Sequence, residues 1–129
     1  MGKNADTVRK SYRLFNQGKF DEALELYDDE VVYEVPGSTI GGSYRGKKQL
    51  SKFFNTIQTK FNEGLEFRVD NVIESKNKVI AERRAIVKLG DGKKMEWRSA
   101  DLYEFRGGKI IRMRAYTDTE AISRAAGKV

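Results

Sequence analysis

The sequence predicts an α+β fold, with helices gathered in its first half and an antiparallel sheet for them to cover in its second. Three observations carry the prediction. Apolar residues recur at helical spacing in the segments around Val8, Leu24 and Phe53. From Leu65 onward they alternate with period two through four successive runs. Turn-forming residues separate those runs at Asn77, at Gly90-Asp91-Gly92-Lys93 and at Gly107-Gly108. Spacings of three and four share one helix face, whereas alternation shares one strand face. Helices followed by strands imply segregated layers rather than alternating βαβ units.

Thr7–Gln17 places Val8, Tyr12, Leu14 and Phe15 at helical spacing, with Asn4 or Asp6 available as a cap. Gly18 ends it, as glycine commonly does just past a helix. Phe20–Tyr27 reads as a second, short helix carrying Ala23, Leu24 and Tyr27 on one side. An acidic turn, Asp28-Asp29-Glu30, leads into a strand over Val31–Val35, which Pro36 stops. Gly37–Tyr44 reads as a glycine-rich loop. Gly46–Asn62 is the longest helix, with Leu50, Phe53, Phe54, Ile57 and Phe61 on its apolar face and Gly64 closing it.

The strands follow. Leu65–Ser75 presents Leu65, Phe67, Val69, Asn71 and Ile73 on one face. Val79–Leu89 and Met95–Phe105 form a hairpin, and Lys109–Thr117 directs Ile111, Met113 and Ala115 inward and Arg112, Arg114 and Tyr116 outward. Thr117 with Glu120 fits a capping box for a final short helix carrying Ala121, Ile122 and Ala125.

At 129 residues a single domain spanning 1–129 is expected. Without Cys or His there is no disulfide, thiolate nucleophile, Cys/His zinc site or Ser-His-Asp triad. Gly37–Gly46 lacks the Lys-Ser/Thr ending of a phosphate loop, and no cofactor or metal is expected. No run of 18 apolar residues exists to cross a membrane, and the opening MGKNADTVRK lacks a signal-peptide core. The expected location is therefore the cytoplasm. The net charge of +6 invites a nucleic-acid partner, but acids and bases interleave, as in Glu82-Arg83-Arg84. The nearest basic stripe is Arg106, Lys109, Arg112 and Arg114, and nucleic acid is not the expected partner.

The chemistry concentrates on two ions. One face of Met95–Phe105 reads Met95, Trp97, Ser99, Asp101, Tyr103 and Phe105, and Asp101 is its only charge. The odd-numbered face of the preceding strand is apolar except for Arg83. A carboxylate aimed at a core must be paired, protonated or working. Two readings stay open. Burial alone raises a carboxyl pKa and makes Asp101 a hydrogen-bond donor. A nearby Arg83 keeps both ionised, either as a self-satisfied salt bridge or as a ligand-contacting pair. A simple tight turn at Gly90–Lys93 would set Arg83 opposite Ala100 and put the two apolar faces on opposite sides, so one extra residue near Gly90 or Gly92 is expected.

The order of elements, with Phe15-Asn16-Gln17-Gly18, Tyr33-Glu34-Val35-Pro36, Gly42-Ser43-Tyr44-Arg45-Gly46 and the run Phe105–Thr119, resembles the SnoaL-like and ketosteroid-isomerase-like group of the nuclear-transport-factor-2-like superfamily. The resemblance implies a curved sheet wrapped around three helices, a cone with a blind apolar pocket. Steroid isomerases of this fold use a helix tyrosine, a base aspartate before the proline and a protonated aspartic acid. These positions match Ser11, Val35 and Asp101. The last-strand aspartate of polyketide cyclases matches Ala115. In the Asp-Arg-Asp set of epoxide-hydrolase-like members the arginine matches Arg83, and the two aspartates match Ala85 and Ala115. No familiar catalytic set is complete.

The expected function is therefore binding of a small hydrophobic molecule. As an isomerase, cyclase or lyase, the chain would use Asp101 as acid or donor and Arg83 as anion stabiliser. The alternative is a non-catalytic binding or accessory module. Ser11, Tyr12, Tyr33, Val35, Phe54, Trp97, Ser99, Met113 and Ala115 are the candidate ligand contacts. Tyr103 and Tyr116 are further aromatics for pocket or core, and Asp118 is assigned to the last helix start rather than to catalysis. The opposite sheet face is densely charged, and in the group it resembles that face often forms a homodimer, the assembly expected here.

Overall fold

The computed structural model describes residues 2–128; Met1 and Val129, the two ends of the expected domain, lie outside the described residues. The element order is α1 (Lys3–Asn16), α2 (Phe20–Leu24), β1 (Tyr27–Val35), β2 (Gly42–Arg45), α3 (Gly46–Lys60), β3 (Leu65–Ser75), β4 (Lys78–Lys88), β5 (Lys94–Arg106), β6 (Lys109–Thr117) and α4 (Thr119–Ala126). Six strands form one curved, unclosed sheet in the order β2-β1-β6-β5-β4-β3. All neighbours are antiparallel except β1 and β6. Helix α1 packs on β3 and β4, α3 on β1 and β2, and α4 on β5. This is the α+β cone.

Several boundaries differ from the sequence reading for identifiable reasons. Helix α1 starts at Lys3, and neither Asn4 nor Asp6 caps it. Its cap comes from the sheet, where Glu74 accepts a hydrogen bond from the Ala5 amide at 2.8 Å. Helix α2 stops at Leu24, and the acidic segment expected as a turn is strand. Tyr27, expected at the end of that helix, pairs with Ile110 and buries its ring, so sheet pairing overrides the local helical spacing. Part of the expected glycine loop is the edge strand β2.

Two bulges reverse expected faces. In β3 the register shifts between Val69 and Asn71, so Val72 turns inward and Ile73 is 53% exposed. In β6 the shift near Phe105 leaves Ile111 as the extra residue, so Ile110 takes the core position expected for Ile111. At α4 the N-cap is Asp118 rather than Thr117: its carboxylate accepts from the Ala121 amide at 2.9 Å.

The β4–β5 hairpin carries the extra residue inside its loop. The Leu89 amide donates to Lys93 at 2.8 Å, which makes Gly90-Asp91-Gly92 a three-residue connection. Gly92 supplies its positive φ of 86°. Odd residues therefore face odd residues, Arg83 opposite Ser99 and Ala81 opposite Asp101, with no further shift along the ladder. One loop residue thus decides that the acid and the base share the inward face.

Candidate functional site

Asp101 is 1% exposed, and four hydrogen bonds from three side chains converge on it. Tyr12 on α1 donates to Oδ2 at 2.5 Å. Arg83 on β4 donates from Nε to Oδ2 at 2.8 Å and from Nη2 to Oδ1 at 3.4 Å. Ser99 on β5 donates to Oδ1 at 3.2 Å and shares its proton with the Tyr116 carbonyl, also at 3.2 Å. Both oxygens thus accept only from N–H and O–H donors, and an ionised carboxylate is the form that accepts from all of them. The heavy-atom arrangement is that of an Arg83–Asp101 ion pair.

The surroundings fix the partners' protonation. Burial, and then the Asp101 charge, hold the Tyr12 phenol well above its ordinary pKa. Burial likewise raises Tyr27, Tyr33 and Tyr103. For Arg83, burial opposes the charge, but the adjacent Asp101 carboxylate outweighs it and the pKa rises. The guanidinium also lies 4.5 Å from the centroid of the Phe67 ring, a cation–π contact.

The inward face encloses two small compartments that meet at Arg83. The polar compartment, about 30 Å³, is lined by Ser11, Tyr12, Tyr27, Phe54, Tyr103 and Asp101. The apolar compartment, about 40 Å³, is lined by Val35, Ile40, Trp97, Met113, Ala115 and Thr117 among others. Tyr33, Ile57, Phe67 and Arg83 line both. At roughly 10–15 Å³ for each water-sized sphere, the apolar compartment holds about three waters. Half-buried Ile40 and Leu65 mark where it meets the surface.

The expected site residues therefore divide. Ser11, Tyr12 and Phe54 gather with Asp101 in the polar compartment; Val35, Trp97, Met113 and Ala115 gather in the apolar one; Tyr33 and Arg83 front both. Ser11 donates to the Val8 carbonyl at 2.7 Å, a local backbone bond. Ser99 is engaged by Asp101 and lines neither compartment. Tyr116, offered as a pocket aromatic, is 55% exposed on the opposite face, because its neighbours Ala115 and Thr117 take the inward positions. Ile40, Phe61 and Thr117 are among the lining residues that sequence reasoning missed. Thr117 was hidden by its resemblance to a cap, although it continues the inward alternation of Met113 and Ala115.

The family model described as a SnoaL-like domain matches residues 8–113. No curated protein sequence matches the chain. Among solved structures, Bal32a from a soil-derived mobile gene cassette superposes with a TM-score of 0.87 at 27% identity, covering 95% of each chain. TerC, co-crystallised with polyporic acid, superposes at 0.89 and 20% identity over 98% of this chain and 100% of its own. IdmH of Streptomyces antibioticus, described as a proposed polyketide cyclase, superposes at 0.82 and 19% identity over 98% and 99%. The last two likenesses establish the shared fold.

Proposed function

This chain belongs to the SnoaL-like domain family, and on that premise we propose that it binds a small apolar molecule in the apolar compartment, which widens from its closed volume of about 40 Å³ to admit the guest, with Arg83 as the polar anchor. The observation that carries the reading is the division of labour at the ion pair. Asp101 is occupied by donors and faces only the polar compartment, whereas Arg83 fronts both. Asp101 uses two of the five guanidinium N–H groups. Asp101 then serves as the positioning residue and Arg83 as the contact, the reverse of their expected ranking.

Binding is favoured over proton-transfer catalysis because, among the described residues, no carboxylate lines the apolar compartment to act as base. A second reading draws on the same guanidinium. Buried and held by two hydrogen bonds, it is preorganised to stabilise an oxyanion, as an isomerase or cyclase without an internal base would need. The proposal includes a homodimer through the opposite face of the sheet. There Asp70 and Arg84 pair within the chain at 2.9 Å, and exposed Ile73, Ile80 and Tyr116 supply apolar contact.

The test is a screen of small aromatic ketones, enones and lactones by titration against Trp97 emission. Trp97 is the sole tryptophan and lines the compartment. Saturable binding that disappears in Ala115→Phe, which fills the compartment, supports the reading. Binding that survives that variant, or no binding in the parent chain, overturns it. Turnover of a bound ligand that is lost in Arg83→Met selects the enzymatic reading.

A further inference from the structure

Thr117 Oγ1 is the one buried side-chain polar atom without a hydrogen-bond partner among the described residues. Its position is not incidental. Thr117 stands directly opposite Ser99, and Ser99 directly opposite Arg83, so the three form one transverse row across β6, β5 and β4. The middle member is committed to Asp101 and the Tyr116 carbonyl. The two outer members both line the apolar compartment. Adjacent strands lie about 4.8 Å apart, so Thr117 and the Arg83 backbone are separated by roughly 10 Å, a gap that the long arginine side chain shortens. A buried hydroxyl without a partner is unfavourable, and a functional role is one standing explanation for such a group. The side chain of threonine carries a methyl and a hydroxyl of similar size on one carbon. A turn about χ1 exchanges them and presents the hydroxyl to the compartment without changing its volume.

The charge balance narrows what such a row would hold. Arg83 is already neutralised by Asp101, and among the described residues no second cation lines the compartment. A carboxylate entering there would lose its hydration without gaining an uncompensated positive charge. An uncharged oxygen acceptor loses far less and still gains a charge-assisted bond from Arg83. We infer that Thr117 is a ligand-orienting residue, a second polar anchor beside Arg83 that makes the compartment selective for uncharged oxygen-bearing guests over anions. The inference rests on the compartment being the binding site, and the experiment separates the two.

The probes are acetophenone, its non-accepting isostere α-methylstyrene, and benzoate, titrated calorimetrically into the parent chain, Thr117→Val and Thr117→Ser. The parent chain is expected to bind acetophenone about tenfold more tightly than either competitor. Thr117→Val is expected to weaken acetophenone by about two- to tenfold while leaving α-methylstyrene unchanged, and Thr117→Ser to restore most of the loss. The selectivity ratio reports orientation, which a merely structural role would not move. If benzoate binds most tightly, or if Thr117→Val leaves the acetophenone affinity unchanged because water alone satisfies the hydroxyl, the inference falls while the binding reading stands. If acetophenone and α-methylstyrene bind equally, both polar anchors fall and only an apolar site remains. If none of the three binds, both the inference and the binding reading fall.

Discussion

Replacing Asp101 with Asn keeps the shape of the side chain but leaves the Arg83 guanidinium in the core without its counter-charge. The side chains of Arg83 and Asp101 are 10% and 1% exposed, so solvent screens the pair little. Removing one partner of such a pair typically costs about 3–5 kcal/mol, because the remaining ion stays buried. Against the ~5–15 kcal/mol that stabilises an ordinary domain, that loss is large. Arg83→Met alone strands Asp101, which retains the Tyr12 and Ser99 hydrogen bonds. The double variant removes both charges and leaves a neutral amide beside a thioether. Its total cost should fall below the sum of the single costs by about 2–3 kcal/mol. Urea unfolding of the four proteins gives each value at constant m. Costs that add within about 0.5 kcal/mol, or an Asp101→Asn cost below about 1 kcal/mol, would refute the claim that the two ions depend on each other. The same cycle bears on the proposed function: if the apolar compartment binds its guest through Arg83, Asp101→Asn lowers affinity by releasing Arg83.

Alkaline stability follows from the buried phenols. Their folded pKa values lie above the unfolded value near 10, so their contribution is complete below about pH 10 and is lost as pH rises through the folded values. Unfolding midpoints should drop above that pH, and Tyr12→Phe should flatten the drop; a midpoint unchanged up to pH 12 would contradict the burial. At neutral pH Tyr12→Phe removes one donor from a buried carboxylate and should cost about 1–3 kcal/mol by denaturant titration. A Cβ at Gly41 would lie 1.8 Å from the Gly37 carbonyl oxygen, so Gly41→Ala should force the loop carrying Ile40 to shift, with a loss of roughly 1–3 kcal/mol. Unchanged thermal stability of that variant would show that the loop is not tightly closed. Light scattering should find a dimer that Tyr116→Glu with Ile80→Asp converts to a monomer; a monomeric parent chain would end that proposal.

Much of the fold was legible because it rests on local periodicity. Alternation from Leu65 to Thr117 placed four strands, and the spacing of Leu50, Phe53, Phe54 and Ile57 placed the long helix. The same alternation put Asp101 and Arg83 on inward faces, and burial requires a charge there to find a partner. The errors fell where nonlocal pairing outweighs local preference. Tyr27 reads as the end of a helix and Asp28–Glu30 as a turn until β6 pairs with Tyr27 in parallel, and Ile73 reads as core until a bulge between Val69 and Asn71 reverses its face. Thr117 reads as a cap because sequence adjacency to Glu120 is visible and opposition to Ser99 is not.

By itself, the sequence determined the helix-then-strand order, the absence of Cys and His chemistry, and the presence of one acid and one base on apolar faces. Only the tertiary structure decided which groups that acid meets. A single residue in the Gly90–Gly92 loop sets the parity that puts both ions on one side of the sheet. Helix α1 then brings Tyr12 across 89 positions of chain to Asp101. Once its lone pairs are occupied, Asp101 holds Arg83 in place, and Arg83 is the group left facing the apolar compartment. Side-chain periodicity is local and survives in the sequence, whereas hydrogen-bond saturation depends on which distant donors the fold brings within about 3 Å.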